Sequence, residues 1–261
     1  KNTFKNWFAA LLLAAPMSMA VAAGGHANYE KVDIDLGDQV SLQRGAQIFT
    51  NYCLSCHSAT GMRFNRLQDI GLTEDEIKKN LMFTTDKVGD VMQAAMTPTE
   101  GKKWFGAAPP DLTLIARSRG ADYLYAYLRG FYQDPTRPTG WNNTVFDKVG
   151  MPHPLWEQQG VKAVELDKDG QPVWEKDEHG NLVPKLYWES TGLHSRRLPN
   201  GKVIEKEYDD YVRDLVNYMV YMGEPAQMQR KQIGYIVLIF LLAVMLPLAY
   251  FLKKEYWKDV H

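Results

Sequence analysis

Two cysteines, Cys53 and Cys56, are the only thiols in the 261-residue chain, and His57 follows the second directly in the run NYCLSCHS, residues 51–58. Two sulfurs spaced i, i+3 sit about one helical turn apart. A structural zinc site needs four ligands, yet no further cysteine exists and His26, His153, His179, His194 and His261 show no paired spacing. A dithiol redox centre would call for a βαβ pattern around the pair, and none is present. A disulfide here would close only a tiny loop. Covalent haem attachment uses every part of the motif: each thiol adds to one vinyl group at the ring edge, and the next residue projects an imidazole toward the iron.

The second axial position of such a haem has three readings. In NNTVFDKVGMPHPLW, residues 142–156, Met151 lies between Gly150 and Pro152 in a segment that cannot be helical. His153 is the rival, two residues on. An open position would instead give a ligand-binding or peroxidatic haem, an enzyme in place of an electron carrier.

Several elements must position these residues. From Ser41 the run SLQRGAQIFTNYCLSCH carries apolar residues at helical spacing, and Asp38 or Ser41 can cap its start. Gly45 within it is costly in a helix and predicts close approach by another helix. Thr73 and Glu76 form a capping box for a helix over Glu74–Phe83. Further helices are predicted over Ala121–Tyr132 and Asp209–Met222, the last stopping at Gly223-Glu224-Pro225. Glu157–Glu207 is different: Asp169-Gly170, Gly180-Asn181 and Asn200-Gly201 separate short β-prone runs, which predicts one or two hairpins inserted into a helical domain.

The ends speak of a membrane. Lys1, Lys5, an apolar stretch and a small-residue tail form a secretory signal over residues 1–22, with cleavage after Ala20 or Ala22. Ile233–Leu252 has no charged residue and is long enough to cross a bilayer, with Lys253, Lys254, Tyr256 and Trp257 at its far end. Pro247 should bend that helix without ending it. Residues 23–229 are then an exported domain and residues 230–261 the anchor with a short cytoplasmic tail. A net charge of −1 gives no steering toward nucleic acid. Asp33, Asp35 and Asp38 could help to dock a basic partner.

GAQIFTNYCLSCHS, WFGAAPPDLTLIARSRG, VGMPHPLW and DLVNYMVYMGEP, followed by a single C-terminal span, together resemble the cytochrome c1 family in its bacterial form, over most of the chain. The resemblance implies a mostly α, cytochrome c-like haem domain with a β-hairpin insertion and one C-terminal transmembrane helix. It implies one covalent haem c, with thioethers at Cys53 and Cys56, iron ligation by His57 and Met151, Arg117 paired with a haem propionate, and Pro110 beside Pro109 along the haem edge. It implies that the helix with Gly45 and Phe49 crosses the one with Leu215 and Tyr218. Its partners would be the cytochrome b subunit and Rieske iron–sulfur protein of ubiquinol–cytochrome c reductase, with a cytochrome c as acceptor. The haem domain would sit on the periplasmic side of the inner membrane. A free-standing anchored cytochrome c shuttle is the alternative, which the APPDL run, the following arginine and the insertion disfavour.

Overall fold

The computed structural model describes residues 29–259; the predicted signal segment lies outside them. Asp38 starts the first helix, Gln39–Ile48, by accepting from the Ser41 amide at 3.0 Å. The helix continues as a π turn over Phe49–Cys53, which ends at the cysteine pair. Strands β1 (Ala59–Arg63) and β2 (Val91–Met92) pair antiparallel beside it. Thr73 and Glu76 do form the capping box, but their helix spans only Glu74–Asn80. Leu81 leaves the helical region, with φ −129°, and buries its side chain.

Pro98–Phe105 is a helix with no counterpart in the sequence reading, although its capping box, Thr97 with Glu100, is written in the chain. Ile115–Arg119 and Ala121–Arg129 follow. The latter stops three residues short of the predicted Tyr132, because Gly130 turns the chain so tightly that a Cβ there would lie 2.5 Å from Thr144 Oγ1. Residues beyond it form β3 (Phe131–Gln133). That strand joins β4 (Trp141–Asn143), β5 (Gly160–Val164) and β8 (Leu186–Thr191) in one sheet of order β4-β3-β5-β8. The insertion is thus tied to the helical half by β5, which runs parallel to β3. Its outer parts are the hairpin β6 (Trp174–Lys176) with β7 (Leu182–Pro184), and the pair β9 (Arg196–Arg197) with β10 (Val203–Ile204). Gly170, Gly180 and Gly201 all take positive φ at the turns foreseen.

The core lies where the first helix crosses the long helix Lys206–Gly223. Phe49 and Tyr218 are fully buried there, with ring centroids 5.7 Å apart. Gly45 sits at the crossing: a Cβ would come within 2.1 Å of the Asp214 carbonyl oxygen and 2.6 Å of Tyr218 Cβ. Asp214, itself buried, accepts from Ser41 Oγ at 2.7 Å and from Arg44 Nε at 2.6 Å. Gly45→Ala should therefore force the helices apart. Overpacking of this kind costs about 2–3 kcal/mol. Thermal unfolding of the full chain in detergent should show a melting temperature roughly 5–10 °C lower; an unchanged midpoint would mean that the crossing is looser than drawn.

After Gly223 the ion pairs of Glu224 with Arg230 (2.6 Å) and Arg117 (3.1 Å) join the domain to its anchor. Gln227–Tyr256 is a continuous 30-residue apolar helix with none of its hydrophobic stretch buried inside the protein. At 1.5 Å per residue it is about 45 Å long, enough for one membrane span. A π turn at Leu241–Met245 just precedes Pro247, so the helix absorbs the missing amide locally and continues, as anticipated.

Candidate functional site

Backbone bonds close the Cys53–His57 turn: the amides of Cys56 and His57 both donate to the Cys53 carbonyl, at 3.1 and 2.8 Å. This turns Cys53, Cys56 and His57 onto the wall of one cavity of about 370 Å³, with Leu215 and Met219 of the long helix beneath. Ala107–Pro110, Ile115, Leu124 and Leu128 make most of the remaining wall apolar. Met151 with Gly150, Pro152 and Pro154 completes it. The four residues foreseen for attachment and ligation, 98 positions apart in the chain at their extremes, share this one space.

The local chemistry suits a haem. Both cysteines are free thiols. Burial, with Cys56 nearby, pushes the Cys53 thiol up to about 12, so the sulfur stays protonated in the cavity. His57 Nδ1 lies 2.8 Å from the Pro110 carbonyl oxygen. Since a carbonyl only accepts, Nδ1 carries the proton and Nε2 keeps its lone pair for iron. Burial lowers the His57 pKa, against the opposing Pro110 hydrogen bond, and so favours the neutral ring that ligates. The Pro110 carbonyl thus sets the histidine tautomer. Asp111 next to it accepts from Thr60 and Thr113 and staples this segment to β1.

Met151 and His153 point in different directions. Met151 Sδ lies on the cavity and accepts from Tyr127 Oη at 3.5 Å. His153 is turned away from it, face-on against Phe131 at 4.7 Å and edge-on to Trp141 at 5.2 Å. Burial pushes its pKa down to about 3.

Arg117 lies apart from these residues. It does not border the cavity; its guanidinium is exposed and paired with Glu224 at the anchor junction. Arg119, by contrast, lies on the cavity wall, 5.6 Å from the Tyr123 ring centre, with no ion-pair partner among the described residues. Residues two apart in a helix point nearly opposite ways, so only one of the two arginines can face the site. Tyr123 and Tyr127 were also missed as site residues. Their four-residue spacing, shared with Leu124 and Leu128, marks a helix face that the sequence alone could equally assign to ordinary core.

The Cytochrome C1 family model matches residues 33–205 and 200–260. An ammonia monooxygenase gamma subunit from Nitrosomonas europaea is 48% identical, covering 96% of each chain. Cytochrome c1 of Allochromatium vinosum is 45% identical over 97% of this chain and 98% of its own. Cytochrome c1 of Rhodospirillum rubrum is 28% identical over 95% and 96%.

Proposed function

The chain belongs to the cytochrome c1 family, and from that premise we propose that it carries one covalent haem c and relays single electrons within ubiquinol–cytochrome c reductase. The electrons come from the Rieske iron–sulfur protein, itself reduced at the cytochrome b subunit, and leave to a cytochrome c. The carrying observation is the convergence of Cys53, Cys56, His57 and Met151 on one apolar cavity. Bound there, the haem supplies a one-electron ferric–ferrous couple. The chain's own part would be to tether it through the two sulfurs and to offer its iron His57 Nε2 and Met151 Sδ. A histidine and methionine pair raises the potential and leaves no position open for oxygen. The apolar wall excludes water, which steadies that potential.

Arg119 is the residue we assign to a haem propionate, because an unpaired guanidinium at a cavity wall suits a carboxylate's two oxygens. Arg119→Gln should then lower the haem midpoint potential while Arg117→Gln leaves it unchanged. Equilibrium redox titration of the two variants decides it, and an equal response would return the role to Arg117 or to neither.

The helix Gln227–Tyr256 anchors the protein by a single span. We place the haem domain on the periplasmic side, since haem c is attached outside the cytoplasm and residues 1–22 have the composition of an export signal. Asp33 remains available for docking, whereas Asp35 accepts from the Gly37 amide at 2.8 Å and Asp38 is engaged as a helix cap.

A haem stain on a denaturing gel, with a pyridine haemochrome spectrum, tests covalent attachment. Purification in mild detergent tests the assembly. Co-elution with b-type haem and a [2Fe–2S] centre supports the reductase, and a lone haem protein would mean the free-standing shuttle. Co-elution with ammonia-oxidising activity would instead place the chain with its Nitrosomonas relative.

A further inference from the structure

Resting on the reading of Met151 as the sixth ligand, the geometry points to His153 as the residue that positions it, through a buried hydrogen bond from its imidazole to Gln159. From Val149 to Pro154 no backbone N–H or carbonyl has a hydrogen-bond partner among the described residues. Pro152 and Pro154 have no amide to offer in any case. The segment is fastened on one side at Lys148, whose carbonyl accepts from Arg137 and whose amide donates to Asn142 Oδ1. On the other side the Leu155 carbonyl accepts from the amides of Gln158 and Gln159. Between those points Met151 is restrained by side chains alone: the Tyr127 hydroxyl on its sulfur, and His153 behind it.

His153 is well built for a peg. Its Nε2 lies 2.9 Å from Gln159 Oε1. Gln159 is wholly buried and cannot turn, since its Nε2 donates to the Arg129 carbonyl at 3.1 Å and to Glu205 Oε1 at 3.3 Å. Its backbone carbonyl is held as well, by Ser195 Oγ and the Gly192 amide. The Gln159 oxygen must therefore accept, so His153 Nε2 carries the proton. Glu205 in turn pairs with Lys162 of β5 at 2.7 Å. The ligand segment is thereby pinned to the sheet that the insertion completes. His153 Nδ1, by contrast, is buried with no partner. An unpaired ring nitrogen in an apolar pocket costs stability. A site chosen for packing alone would be better served by phenylalanine, which makes the hydrogen bond the useful feature.

Two substitutions separate packing from hydrogen bonding. His153→Phe keeps the stack on Phe131 and loses the donor; His153→Gln can present an amide N–H at nearly the same reach. Both are made in the full chain, solubilised in detergent, with covalent haem yield checked first. The readouts are the far-red absorption of the oxidised form, which reports sulfur on iron, and the rate of carbon monoxide binding to the reduced form. Loss of one buried hydrogen bond should raise the share of molecules with Met151 displaced, and with it the carbon monoxide rate, roughly tenfold. His153→Phe should show that rise and a weaker far-red band, and His153→Gln should recover most of both. Wild-type behaviour in His153→Phe, or equal impairment in the two variants, overturns the positioning role. A wild-type protein without the far-red band would fail at the earlier step, the assignment of Met151.

Discussion

Replacing Met151 by Leu should leave the pigment covalently bound, abolish the far-red band of the oxidised protein, and let carbon monoxide bind the reduced form. Leucine fills a similar volume, so the cavity wall survives and the fold is little disturbed. What is lost is the thioether, whose soft sulfur favours the ferrous state. Axial ligands move haem potentials over about 0.8 V, and exchange of methionine for no ligand or water should account for roughly 0.1–0.3 V of lowering. Electron transfer from an iron–sulfur donor then becomes uphill, and quinol-driven reduction of the haem should fall steeply. Redox titration and carbon monoxide difference spectra measure both effects. Retention of the wild-type potential would remove Met151 from the iron. The Tyr127 hydroxyl, 3.5 Å from the sulfur, would in Met151→Leu lose its acceptor, which adds a small packing cost.

The largest effect should come from Cys53→Ala with Cys56→Ala. Haem staining on a denaturing gel should vanish entirely, because no other cysteine exists to form a thioether. Most of the fold should go with it. An unfilled apolar void costs about 24 cal/mol per Å³. For the cavity of about 370 Å³ that is roughly 9 kcal/mol as an upper bound. Whole domains are stable by only about 5–15 kcal/mol. The long helix would lose the surface packed on Leu215 and Met219, and the Ile115–Arg119 and Ala121–Arg129 helices their common wall. Protease sensitivity of the double variant in isolated membranes checks this, with the span Gln227–Tyr256 expected to persist as a membrane-bound fragment. A stable, pigmented double variant would show that ligation alone holds the haem.

How much of this was legible in the chain varies with the range of the forces involved. The C-x-x-C-H motif, the capping box at Thr73–Glu76, the turn glycines and the apolar span could all be read directly. Each is a local matter of spacing, of left-handed backbone, or of a run of residues meeting one solvent. Gly45 was legible in part: its cost in a helix showed that something approached, and the distances to Asp214 and Tyr218 show what. The box at Thr97–Glu100 was there to be read as well and was passed over. Helix ends were less accessible. Leu81 and Phe131 leave helical backbone to bury themselves in the core and in a sheet, and such gains come from distant partners.

The sequence by itself pointed to two sulfurs and an imidazole acting together at one turn, left Met151, His153 or an open position opposite them, and marked a single helix as the membrane anchor. Only the tertiary structure shows that Met151 and Arg119 line the cavity while His153 and Arg117 do not. Each pair lies two residues apart, with side chains that differ in direction more than in kind. Which member faces the cavity depends on how the segment is gripped from behind, by Gln159 in one case and by Glu224 in the other. Those partners stand 6 and 107 positions away, and only a folded chain brings them into hydrogen-bonding reach.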